Sequence, residues 1–388
     1  MKTFARARPS LLRQINERHV LAAIQMHGPL SRAEITRCTG ISGPTVTRAV
    51  AALLDARLLE EGDFRPAALG RPSKVLRLAG KNVSVLGAII GSQTCELVCS
   101  GLDGEIHDDS LVTFPTPDTY EDLVEQFVMA VRESCTKEKT TVLGLGLSLP
   151  GLLNHREGRV LLSPNLHQTD GKRLGHDLST RLGLEVSTVQ ESTGLCLAER
   201  MYGAARGLDH FVVVDINEGL GVCVVNDGEV LEGQSGLAGE LGHITVEIDG
   251  KPCGCGNRGC LETIATDHAL VAAISERVGR PMTIEEIVTE VREGRMEMGA
   301  EFDRAMTYLS VGLAAVVNLF NPQRVFVFGK FLDAHPDLFH RLTQMTWKRA
   351  LKPAMADCEI IRAQANKRLG AIAGIIQHIT TGRDDHAE

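Results

Sequence analysis

No run in this 388-residue chain is long and apolar enough to cross a bilayer, so membrane insertion is not expected. A secretory leader is not expected either. Arg13, Asn16, Glu17 and Arg18 interrupt the region where a signal peptide would be apolar, which predicts a cytoplasmic protein. Aromatic residues are scarce at 4%, against 43% apolar residues and 39 glycines, a balance that fits an α/β protein with a sizeable core and two or three domains. A disulfide framework is also missing. Cys38, Cys95, Cys99, Cys135, Cys196, Cys223 and Cys358 are scattered, mostly through apolar runs, as free thiols in a reducing compartment would be.

The remaining three cysteines are clustered. Cys253, Cys255 and Cys260 lie within HITVEIDGKPCGCGNRGCLE, with His243 ten residues before the first of them. Three thiolates and one imidazole make a tetrahedral Cys3His site for zinc, and four protein ligands leave no open position, so the zinc is expected to be structural. The glycines at 254, 256 and 259 let the backbone turn so that neighbouring sulfurs face one ion. A DNA-reading zinc finger is not implied, because the His pair and helix spacing of such fingers are missing.

Charge divides the chain. Residues 1–81 hold 14 Lys and Arg against 6 Asp and Glu, and the remainder holds 27 against 43. A basic head on an acidic body suits nucleic-acid binding by the head. Within it, Leu11 to His27 has helical periodicity, Ser31 to Glu34 has the form of a capping box, and Thr39-Gly40-Ile41 supplies a tight turn. Ser42 is expected to cap a third helix that buries Val46, Val50, Leu53 and Leu54 and presents Thr45, Thr47 and Arg48 outward. Two short alternating segments, Leu58 to Glu60 and Ser73 to Leu78, flank a loop carrying Arg65, Gly70 and Arg71. This is the pattern of a winged helix-turn-helix over residues 1–80. Ser42, Thr45 and Thr47 would bond phosphates or base edges, Arg48 suits guanine, Arg71 suits a minor groove, and Lys2, Arg6, Arg8 and Arg13 would add phosphate contacts.

The body, residues 81–388, contains an internal duplication. VSVLGAIIGSQTCELVCSGLDGEI (83–106) and FVVVDINEGLGVCVVNDGEV (211–230) each read as strand, Gly-containing turn, strand, Asp-Gly hairpin and a third strand opening with Glu. LGLGLSLPG and RVFVFGK continue the two halves. Two similar lobes follow, about 81–205 and about 206–388, with a cleft between them and a C-terminal helix able to return to the first lobe.

LAGELGH (237–243), the CGCGNRGCLE block, SPNL (163–166) and NLFNPQ (318–323), behind a winged helix, resemble the ROK family in its repressor branch. The resemblance covers about residues 11–376. It implies an actin-like, sugar-kinase-type body that closes over a monosaccharide or sugar phosphate, assembly as a homodimer or homotetramer, and operator DNA as partner. Some members of the family are controlled instead by docking to a sugar-transport protein, and others are kinases.

The sugar contacts implied are Asn165, Glu191, Glu240, His243 and Glu262, with His243 serving zinc through one ring nitrogen and the ligand through the other. The family's kinase motifs are altered. The first-lobe acid is Ile89, Glu218 stands among the second-lobe phosphate glycines, and Gly329-Lys330-Phe331 places bulk where a nucleotide would pass. The catalytic Asp is replaced by Glu191, one methylene longer. A sugar-responsive repressor without enzymatic activity is the resulting expectation.

Overall fold

The computed structural model describes residues 9–65, 73–138 and 140–382. The head comprises helices α1 (Pro9–His27), α2 (Arg32–Thr39) and α3 (Gly43–Asp55) and strands β1 (Leu59–Arg65) and β2 (Ser73–Leu78), the two strands pairing antiparallel. Its local signals act as written in the sequence. The Ser31 hydroxyl accepts from the Glu34 amide while the Glu34 carboxylate accepts from the Ser31 amide, which together form the capping box of α2. Gly40 ends that helix at φ +68°, a left-handed conformation that any side chain would strain. Val46, Ala49, Val50 and Leu53 then give α3 a buried face.

The first lobe contains β3 (Val83–Ile90), β4 (Thr94–Ser100), β5 (Val112–Pro115), α4 (Tyr120–Lys137), β6 (Thr141–Leu149), β7 (Leu152–Asn154), β8 (Arg159–Leu162), α5 (Leu174–Leu182), β9 (Glu185–Gln190) and α6 (Glu191–Tyr202). The second contains β10 (Phe211–Asp215), β11 (Gly221–Asn226), β12 (Glu229–Val230), α7 (Glu262–Ala265), α8 (Asp267–Val278), α9 (Ile284–Arg292), α10 (Ala300–Phe320), β13 (Arg324–Phe328), α11 (Pro336–Arg349), α12 (Lys352–Ala356) and β14 (Glu359–Arg362), and the chain continues into α13 (Lys367–Thr381). The sheets run β5-β4-β3-β6-β9 and β12-β11-β10-β13-β14. Their identical order, with antiparallel strands on one flank and parallel strands on the other, is the duplication in three dimensions. One detail differs from the sequence reading. In the first half the third strand is β5, because Glu105-Ile106 makes only an isolated bridge to Ser100 and the sheet edge resumes at Val112.

The alternation in β6 explains how the sheet is covered. Leu145, Leu147 and Leu149 face α4 and join Leu123, Phe127 and Val131 in one core. Gly144 and Gly146 face α13, and a Cβ on Gly146 would lie 1.9 Å from the Ala371 carbonyl oxygen. Only glycine lets that helix approach so closely. On the inner side, α6 and α13 share a continuous apolar core with both sheets and with the head, joining Val20, Leu21 and Ile24 of α1 to Leu195, Met201, Phe211, Val213, Ile372 and Ile375. Gln25, buried in this seam, donates from Nε2 to Gln377 Oε1 at 3.0 Å and accepts from the Thr380 hydroxyl. Among the described residues, no helix is long and apolar enough to cross a membrane.

Candidate functional site

The cleft between the sheets opens into two adjoining cavities. The smaller, about 330 Å³, is lined by Asn165, Glu191, Glu240, His243 and Glu262 together with Asp215 and Glu218. All five residues expected to contact sugar therefore face one space, although they lie as much as 97 positions apart in sequence (165 to 262). Asn165 sits in a turn fixed by the Ser163 amide donating to Asp170 Oδ1 at 2.6 Å and the Leu166 amide donating to the Ser163 carbonyl at 3.0 Å. Glu240 accepts from Gln190 Nε2 at 3.3 Å. Burial raises its pKa above the ordinary carboxylate range, while the Gln190 amide and His243 hold the rise back.

The sulfur cluster forms one wall. The ligand atoms of His243, Cys253, Cys255 and Cys260 all lie within 4.8 Å of one another. Cys253 Sγ is 3.6 Å from His243 Nδ1, and Cys255 Sγ is 3.8 Å from Cys260 Sγ. Tetrahedral zinc with ordinary bond lengths demands S···N of roughly 3.6 Å and S···S of roughly 3.8 Å, so the donor set fits that ion. The loop geometry is enforced by Gly259, at φ +64° with its Cα side pressed against Glu247, where a Cβ would lie 1.6 Å from the carbonyl oxygen. Glu247 is in turn tied to α10 by both its oxygens, each 2.6 Å from Arg304 Nη2. With Nδ1 turned to the sulfurs, His243 points Nε2 toward Glu240, 3.7 Å away. Glu262 lies on the Nδ1 side, 3.5 Å from it and 2.9 Å from Cys253 Sγ.

The larger cavity, about 670 Å³, includes in its lining Ile89, Gly91, Ser92, Glu218 and Lys330, residues that the sequence resemblance places in altered nucleotide motifs. Glu191 and Glu218 border both cavities. Ile89 is an apolar wall here, as expected. Phe331 is a correction: its ring is wholly buried in the second lobe's core, packed edge-on to Phe302, so its bulk does not obstruct the cleft. Lys330 is what enters, paired with Glu285.

Several residues that sequence reasoning missed complete this region. Lys367 Nζ lies 2.6 Å from Glu191 Oε1, and Arg368 binds both oxygens of Glu96 at 2.6 and 3.0 Å. Glu191 is therefore half of an ion pair as well as part of the cavity lining. Asp215, 5% exposed at the end of β10, has its pKa pushed up to about 7 by burial, with Lys367 opposing and Glu191 reinforcing the rise. Asp267 accepts from the amides of Lys330 and Phe331, each at 2.8 Å, yet burial still carries its pKa to about 6. A signal did exist for the basic pair. Lys367-Arg368 opens α13, where the helix dipole disfavours cations, so an external reason for them was to be sought.

On the head, Thr47 and Arg48 are exposed on α3 and Thr45 is half-buried. Ser42 precedes the helix with extended backbone, but its hydroxyl bonds the Thr45 hydroxyl at 2.9 Å and caps no amide. The cap is dispensable because Pro44 occupies the first turn and has no N–H to satisfy. Arg32 and Lys74 pair with Glu61, and Arg77 pairs with Glu60, which reduces the basic surplus of the wing side. Arg37 and Arg48 have no ion pair among the described residues. Arg71, Lys2, Arg6 and Arg8 lie outside the described residues.

A duplicated, cleft-bearing body of this type joined to a winged helix defines a regulator built on a sugar-kinase scaffold. The ROK family model matches residues 85–377, and the MarR family model matches residues 13–65. The chain belongs to the ROK family. It is 30% identical over 361 residues to a putative xylose repressor of Caldicellulosiruptor sp. (strain Rt8B.4), covering 88% of this chain and 89% of that protein. It is 25% identical over 389 residues to the DNA-binding transcriptional dual regulator NagC of Escherichia coli (strain K12), covering 96% and 95% respectively. The crystal structure of a ROK family transcriptional regulator, a homologue of the E. coli MLC protein, superposes with a TM-score of 0.80 at 26% identity, covering 96% of this chain and 97% of that one.

Proposed function

We propose that this protein is a sugar-responsive transcriptional repressor. Its winged helix binds operator DNA, its cleft binds the effector sugar, and it transfers no phosphoryl group. The observation that carries the reading is the joining of the two sites through one core, with Gln25 of α1 held by Gln377 and Thr380 at one end of α13 and Glu191 held by Lys367 at the other. Similarity over most of the chain to proteins named putative xylose repressor and N-acetylglucosamine repressor supports it.

In this reading Ser42, Thr45, Thr47, Arg48 and Arg71 contact DNA, and Asn165, Glu191, Glu240, His243 and Glu262 surround the sugar. His243, Cys253, Cys255 and Cys260 hold a structural zinc, which fixes the loop that presents His243 and Glu262. The protein acts in the cytoplasm as a dimer or tetramer of paired heads on an inverted-repeat operator. Sugar binding between Glu191 and the zinc loop shifts α13 at its Lys367 end. That shift repacks α1 and with it the spacing of the recognition helices.

The test is operator binding by gel shift, using DNA upstream of sugar-utilisation genes, across a panel of monosaccharides. Affinity should change for at least one sugar. Flat affinity across the panel refutes sugar control, and ADP release at ordinary kinase rates with any hexose refutes the regulatory reading of the cleft.

A further inference from the structure

We infer that the first lobe carries a metal site of its own, in which Cys99, His107 and Glu138 hold an exchangeable zinc ion. It is separate from the cleft and from the cysteine loop. Cys99 lies at the end of β4 that pairs with the start of β3, whereas Ile89, at the other end of β3, borders the larger cavity.

Three different elements supply the donors. Cys99, 1% exposed, is held in the sheet opposite Leu86. His107 returns to it because the chain turns at Asp103-Gly104 and does not resume the sheet edge until Val112, and its amide donates to the Cys99 carbonyl at 2.9 Å. The Ser110 hydroxyl locks that return, donating to the His107 carbonyl at 2.6 Å and accepting from the Cys99 amide at 3.0 Å. Glu138 arrives from α4, whose C-terminus it caps by donating its amide to the Ser134 carbonyl at 3.0 Å. One donor atom from each residue lies within 4.8 Å of the others, and His107 Nδ1 is 3.5 Å from Glu138 Oε1. Tetrahedral zinc needs roughly 3.3 Å between nitrogen and oxygen and roughly 3.6 Å from sulfur to either, so small side-chain rotations close the site. His107 and Glu138 have room for them, with side chains 37% and 18% exposed. The second lobe offers a comparison. There Cys223 precedes Asp227-Gly228 as Cys99 precedes Asp103-Gly104, but the chain pairs at once as β12, through Val225 and Val230, and brings no histidine back.

Charge also favours a cation here. A helix C-terminus attracts positive charge, yet α4 ends on the carboxylate of Glu138. Lys137 does not balance it, being paired with Glu133 one turn back. Among the described residues the ionic partner of Glu138 is His107, itself a metal ligand by chemistry. Thiolate, imidazole and carboxylate together are donors that zinc takes, whereas calcium and magnesium take oxygen. Three protein ligands leave a fourth position to water, so this ion exchanges on dialysis where one held by four protein ligands does not.

The site lies under the joint between head and body. The Leu102 amide donates to the Ala79 carbonyl at 2.8 Å, and a Cβ on Gly101 would lie 2.7 Å from the Gly80 Cα. Ala79 and Gly80 follow β2 directly, so an ion joining Cys99 to His107 clasps the loop on which the head's tether rests.

The test titrates zinc into the full chain after dialysis against a weak chelator, read by calorimetry and by melting temperature. The parent protein should take up one further equivalent and melt higher with zinc than without it. Loss of a mere supporting partner costs about 10–100-fold in metal affinity, so His107→Ala and Glu138→Gln, each checked for a normal melting transition without added metal, should each weaken the uptake by about 10-fold or more. Magnesium should not replace zinc. No further equivalent in the parent protein overturns the inference, as does uptake that either variant leaves unchanged.

Discussion

Replacing Lys367 by methionine should destabilise the protein in a pH-dependent way that identifies the buried charge cluster. The substitution keeps the apolar stem but removes the cation from between Glu191 (side chain 12% exposed) and Asp215 (5% exposed). Breaking a buried pair by deleting one partner costs about 3–5 kcal/mol, and since the Lys367 side chain retains 21% exposure the lower end applies. A loss of about 3 kcal/mol in a chain of this size lowers the melting temperature by on the order of 5–10 °C.

The sign of the pH effect follows from Asp215. Its folded pKa, near 7, lies above its ordinary 3.8, so the folded state holds a proton that the unfolded state has lost, and this group's contribution to stability falls as pH rises between those values. Lys367 restrains that rise, while Glu191 and Asp267 push it further. Without Lys367 the upper edge of the window moves above 7, so the deficit relative to the parent protein should be larger at pH 8, where Asp215 adds to it, than at pH 5, where the loss of Glu191's partner acts alone. Denaturation melts at both pH values measure it, with Lys367→Met plus Glu191→Gln as the double variant that recovers part of the loss. A deficit equal at both pH values, or larger at pH 5, would refute the account of the cluster.

Arg48→Ala should weaken operator binding by about 1–3 kcal/mol and reduce discrimination against altered sites, measured by competition with non-specific DNA. Cys255→Ala should abolish stoichiometric zinc, expected at one ion per protomer by elemental analysis, and should lower sugar affinity more than operator affinity. Gln25→Ala leaves Gln377 and Thr380 without their partner, at a cost of about 1–3 kcal/mol. Its diagnostic effect is on coupling: sugar affinity should persist in calorimetry while the sugar's effect on operator binding shrinks.

What could be read from the sequence was local or strongly patterned. The capping box at Ser31, the left-handed Gly40, the alternation in LGLGLSL and the Cys-Gly spacing of the cysteine loop are each set within a dozen residues. Glu240, His243 and Glu262, named through the family resemblance, lie near one another in sequence and line one cavity. The cleft's other half was not legible in this way. Lys367 meets Glu191 across 176 positions and Gln25 meets Thr380 across 355, and neither separation leaves a periodicity. Ser42 misled for a related reason. Its position marks the helix start, but its hydroxyl pairs with the Thr45 hydroxyl and caps no amide. Phe331 misled because adjacent residues on a turn can face opposite ways, and the apolar one turned inward.

The shared core around α6 and α13 also restricts how such a protein can move. Among the described residues α1 packs on α13, and α6 packs on β10 and β11 of the second lobe, so the junction between the lobes is itself part of a packed core. Packing of this kind favours closure by small sliding of helices over one another. Under the proposed reading, a displacement that small at the base, carried to the head through α1, is enough to put the recognition helices of paired heads out of register with DNA while the overall envelope of the molecule hardly changes.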